Sequence, residues 1–118
     1  GVLHFPGGVT AHFDCALTME RCEFYEAAGT GGVLRVESAF LPGTGEVEVL
    51  REGGPGGRQV HPVAGDDEYR LMVEHFADCA LHGRVPRYTA REAAANMRVI
   101  NALYRSARGG GSPVEVEG

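Results

Sequence analysis

Lysine and tryptophan are both missing from this chain of 118 residues. All eleven basic residues are arginine, so neither a lysine base nor a lysine Schiff base can operate from it. Sixteen acidic residues outnumber the basic ones, and the net charge of −5 argues against the basic patch that nucleic acid binding needs. Long apolar runs are lacking too. None approaches the roughly 18 residues of a membrane span, and no charged-then-apolar signal segment opens the chain, so a soluble protein without a membrane partner is expected. Cysteine is scarce. Cys15, Cys22 and Cys79 make an odd count in a chain long enough to bury a core, which fits a reducing compartment, the cytoplasm, better than a disulfide scaffold. Glycine is abundant, but its eighteen residues cluster between periodic segments, where they serve turns.

The clearest periodic signal lies over residues 65–116, which read as two amphipathic helices and a short extended tail. In the first helix Tyr69, Val73, Phe76 and Ala80 form one stripe at helical spacing. Asp66, Asp67 and Glu68 crowd its positive end, and Gly83 stands where the chain must leave the helix. Thr89 and Glu92 have the spacing of a capping box at the start of the second, and Ala93, Met97, Ile100 and Tyr104 make its stripe. Arg105 and Arg108 suit its negative end, and Gly109 to Gly111 stop it.

Upstream, alternating runs separated by glycine-rich tips predict three β-hairpins. Residues 2–5 and 9–17 flank Pro6-Gly7-Gly8, residues 22–28 and 33–37 flank a Gly29 to Gly32 tip, and residues 46–52 and 58–63 form the least apolar pair. Across residues 9–17, Val9, Ala11, Phe13, Cys15 and Leu17 form a core face, while Thr10, His12, Asp14 and Ala16 form a mixed one. Strands followed by segregated helices predict an α+β fold: a mostly antiparallel sheet built from hairpins, two C-terminal helices on one face, and a short final strand at 114–116. The 118 residues read as a single domain.

No complete catalytic motif stands in the chain. The Gly29-Thr30-Gly31 cluster lacks the third glycine and the following helix of a dinucleotide fingerprint, so it reads as a turn. His75, Cys79 and His82 share one flank of a helix, but no fourth ligand lies at short spacing, and they read as architecture rather than a metal site. His12 and Asp14 lie on one strand face about 7 Å apart, a spacing at which they could share a proton, though such a pair more often meets solvent or an interface. Cys15 and Cys22 match no thiol motif.

Taken end to end, the chain resembles the C-terminal α/β domain of the Gfo/Idh/MocA family of NAD(P)-dependent oxidoreductases. The resemblance rests on GVLHFPGGVTAHFDCAL as a hairpin, FYEAAGTGGVLRV as the next strand-turn-strand, EYRLMVEHFADCALHGRVPRYT as the penultimate helix and its exit, and AREAAANMRVINALYRSARGGGSPVEV as the final helix and strand. It implies an enzyme that moves a hydride between a nicotinamide and an alcohol or carbonyl carbon, often of a sugar or cyclitol. Family members hold NAD or NADP in an N-terminal Rossmann domain that carries a Lys in a Glu-Lys-Pro motif, and a catalytic Asp/His pair on a helix that opens the C-terminal domain. Neither part is found here, so the chain is expected to be a substrate-side and dimerisation fragment of a longer enzyme. By this reading it holds no cofactor, catalytic or metal-binding residue of its own and is inactive alone. The family's open sheet face commonly meets a second subunit, and the row of Thr10, His12, Asp14 and Ala16 is the candidate for it. By position, Glu20 and Arg21, in the Met19-Glu20-Arg21 segment, and Tyr69 correspond to places from which some sugar-acting relatives reach substrate; the plainer readings are a solvated turn for Glu20 and Arg21 and core packing for Tyr69. The competing reading is an autonomous α+β binding or oligomerisation module without catalysis.

Overall fold

The computed structural model describes residues 1–117. Six strands come first and two helices follow, the order expected of an α+β fold. The strands form two antiparallel sheets: β1 (Val2–His4) with β2 (Thr10–His12), and a four-stranded meander of β3 (Phe24–Gly29), β4 (Gly32–Glu37), β5 (Val47–Glu52) and β6 (Gln59–Val63). α1 spans Glu68–His82 and α2 spans Ala90–Arg108. Neither is long and apolar enough to cross a membrane. The chain divides into two compact units, Gly1–Ala16 with Asp78–Gly118, and Leu17–Ala77, with the boundary inside α1.

In the first unit, Pro6–Gly8 forms a 3-10 turn between β1 and β2, closed by the Phe5 N–H donating to the Val9 carbonyl at 2.8 Å. Gly7 and Gly8 take φ of 79° and 81°, which residues with a Cβ rarely adopt. Backbone bonds between Gly1 and Phe13 extend the ladder by one pair, and there it stops. β2 is therefore much shorter than the alternation over residues 9–17 predicts, because a strand needs a partner and β1 offers only three residues. Asp14 and Ala16 lie past its end, so only Thr10 and His12 of the expected mixed row stand on the strand.

α2 begins as its sequence predicts. The Thr89 hydroxyl accepts from the Glu92 N–H at 3.3 Å while the Glu92 carboxylate accepts from the Thr89 N–H at 2.8 Å, a complete capping box. The Thr89 backbone N–H foremost, and the Thr89 hydroxyl, which also donates to the carboxylate at 3.0 Å, hold the Glu92 carboxyl below its ordinary range. Thr89→Ala is expected to cost about 1 kcal/mol and to return the Glu92 titration toward that of a free glutamate, as read by denaturant unfolding and by NMR.

The buried side of α2 differs from the expected stripe. Ala102 is buried, with Ala95, Val99, Leu103 and Ser106 half-buried around it; of the expected stripe Ile100 is half-buried, whereas Ala93 is exposed and Met97 and Tyr104 are more than half exposed. Small and β-branched residues let a neighbour approach the helix closely, and Leu103 lies beside Gly1 and Phe13 at the open end of the first hairpin. The tail likewise departs from expectation. Residues 112–117 form no strand: Arg105 binds the Glu117 carboxylate at 3.0 Å and the Glu115 carbonyl at 3.3 Å, and the Ser106 hydroxyl donates to the Ser112 carbonyl at 2.7 Å. Pro113 has no N–H to give a ladder.

In the second unit the register pairs Tyr25 with Val36, Val36 with Val49, and Val49 with His61. Alternation then puts Tyr25, Ala27, Leu34, Val36, Val47, Val49 and Val63, with Arg51, Gln59 and His61, on one face of the meander. The other carries Glu26, Arg35, Glu37, Glu48 and Glu52 with Phe24, Leu50 and Val60. Arg35 organises that charged face: it lies 4.3 Å from the centroid of the Phe24 ring and donates to Glu37 at 2.6 Å and Glu26 at 3.4 Å. Such exposed pairs fix the orientation of side chains more than they stabilise the sheet.

Candidate functional site

The segment joining β2 to β3 runs over residues 13–23 without regular structure and carries Glu20 and Arg21. Both are exposed. Arg21 is held in place by a two-pronged bond to Glu23, Nε to Oε1 at 2.9 Å and Nη2 to Oε2 at 3.1 Å. Alternate residues of an extended chain point the same way, which lets residues 21 and 23 meet. The hydrogen bonds to Glu23 push the guanidinium above its ordinary value, so Arg21 is a fixed cation.

Tyr69 is the second residue of α1, placed there by the way the helix starts. The Asp67 carboxylate accepts from the backbone N–H groups of Tyr69 and Arg70, each at 3.0 Å, and so caps the helix. Arg70 then reaches both ways along the helix, to Asp66 and to Glu74, the latter at 2.9 Å. The bond from Arg70 lowers the Asp66 carboxyl below its ordinary range, and its two acidic partners raise the Arg70 guanidinium further. Asp66, just before the helix, and Glu74, one turn along it, are both four residues from Arg70, and the three form a triad that is not among the residues expected from the sequence. The Tyr69 side chain is 62% exposed and, among the described residues, its hydroxyl has no hydrogen bond. The stripe it begins is exposed as well: Val73 and Phe76 stand open, and the buried position of α1 is Cys79.

Among the described residues no hydrogen bond or ion pair joins Glu20 or Arg21 to Tyr69. None of the three lines an open cleft of about 480 Å³ that lies over the charged side of the meander between Arg35, Glu37, Glu46, Glu48 and Arg58. Of the other residues weighed from the sequence, His12 stands exposed on β2, and Asp14 lies beyond it. His82 turns back on α1, its Nδ1 2.9 Å from both the carbonyl and the carboxylate of Asp78. No group of three His, Cys, Asp or Glu residues is gathered among the described residues in a way that could hold a metal ion.

What the geometry offers is a fixed arginine, a nearby glutamate and a tyrosine hydroxyl with donor and acceptor capacity to spare, all in the second unit and all accessible. These groups can hydrogen-bond a polyhydroxylated ligand; they cannot by themselves carry a hydride.

The chain was compared with known proteins. It is 30% identical to D-xylose 1-dehydrogenase (NADP(+)) 2 of Haloferax volcanii over 110 residues, which is 93% of this chain and 34% of that protein. The chain thus spans about a third of the length of this curated relative. No solved structure matches it. The family model described as "Oxidoreductase family, C-terminal alpha/beta domain" matches residues 1–116, nearly every position of the chain. With the α+β order of its elements and with that match, the chain belongs to the Gfo/Idh/MocA oxidoreductase family and represents its C-terminal α/β domain.

Proposed function

We propose that this chain is the substrate-side and dimerisation domain of an NAD(P)-dependent oxidoreductase acting on the alcohol or carbonyl carbon of a sugar or cyclitol. The observation that carries the reading is the family match over residues 1–116. The similarity to a D-xylose dehydrogenase that uses NADP⁺ narrows it toward an aldose and toward NADP. The nicotinamide is held outside these 118 residues, which contain no lysine and no dinucleotide fingerprint. Three cysteines, none of them in a disulfide, fit a cytoplasmic enzyme.

In this reading Glu20, Arg21 and Tyr69 contact the sugar. The pairing with Glu23 keeps Arg21 aimed, and the cap at Asp67 fixes the first turn that presents Tyr69. In the full-length enzyme, Tyr69→Phe is expected to raise the KM for sugar about threefold to tenfold, the worth of one hydrogen bond, and to leave the KM for nicotinamide unchanged. Arg21→Ala is expected to act in the same direction. A pair of variants that leaves the sugar KM untouched removes these residues from the site.

In this reading the second subunit meets the face of the first hairpin that carries Thr10 and His12 on β2, opposite His4 and Val2 on β1. Apolar positions on a sheet face favour a covering partner. The full-length protein is expected to sediment as a dimer at low micromolar concentration, and a monomer at high micromolar concentration contradicts the proposal.

A further inference from the structure

We draw no further inference here: the strongest candidate, the apolar face of the four-stranded meander with Tyr25, Leu34, Val36, Val47, Val49 and Val63, carries nothing because nothing in the structure shows what covers it.

Discussion

Gly32→Val is expected to destabilise the second unit by about 4 kcal/mol or more, among the largest effects open to a single substitution. Gly32 begins β4 directly after the Thr30-Gly31 tip, with φ of 125°, where a side chain is strained whatever the space. Space is lacking as well. A Cβ there would run into the carbonyl oxygen of Glu52 in β5 and lie 3.3 Å from the carbonyl of Gly53. Those atoms belong to the neighbouring backbone, so the clash is relieved only by opening the β4–β5 pairing, which joins the two halves of the meander. Gly7→Ala is the control. Gly7 also has positive φ, 79°, but nothing lies within 4 Å of the position a Cβ would take. Strain alone then sets its cost at about 1–2 kcal/mol. In urea the valine variant is expected to lower the unfolding midpoint by about 2 M. A midpoint equal to that of the unaltered chain removes the clash from the account.

The contrast between these glycines shows what the sequence reveals and what it conceals. Turn chemistry is local: Pro6-Gly7-Gly8 and the cluster before Val33 announce hairpin tips, and both are found. Capping is local too, so Thr89 and Glu92 could be paired from their spacing, and the pairing is present. The close approach of Gly32 to Glu52 depends on β5 arriving alongside β4, twenty residues later in the chain, and no spacing rule foretells it.

The same limit governs the helices and the tail. Residues 93, 97, 100 and 104 of α2 make a fair apolar stripe, yet the helix buries the side bearing Ala95, Val99 and Ala102. A helix with two partly apolar sides does not state which one meets a neighbour; the neighbours decide. Val114 to Val116 alternates like a strand, but among the described residues no other strand comes beside it, and the Glu115 carbonyl accepts from Arg105 instead. Of the candidate site, exposure and approximate position were legible. The fixing of Arg21 by Glu23 and the triad of Asp66, Arg70 and Glu74 needed the folded chain. Family resemblance supplied the functional reading, since no motif within the chain is complete.

The larger effect concerns activity. The proposal divides the residues needed for hydride transfer between this domain and a cofactor domain outside these 118 residues. These 118 residues contain no lysine to move a proton and no glycine-rich strand-turn-helix to cradle a pyrophosphate. In the proposed reading Glu20, Arg21 and Tyr69 bind and orient a sugar, and orientation raises a rate only when a hydride acceptor is held beside it. Cofactor binding and turnover are therefore expected to be all-or-none between this chain and the full-length protein. The autonomous binding module, the competing account, predicts no nicotinamide-dependent activity from either.

The most direct test is the sugar-dependent reduction of NADP⁺ by the full-length protein, followed by the absorbance of the reduced nicotinamide, with D-xylose and related aldoses and cyclitols as substrates and residues 1–118 assayed in parallel. The account predicts turnover by the full-length protein with NADP⁺ or NAD⁺ on at least one of these polyols, and none by residues 1–118 alone. Reduction of nicotinamide by residues 1–118, or a folded full-length protein that neither binds nor reduces NADP⁺ or NAD⁺, would contradict it.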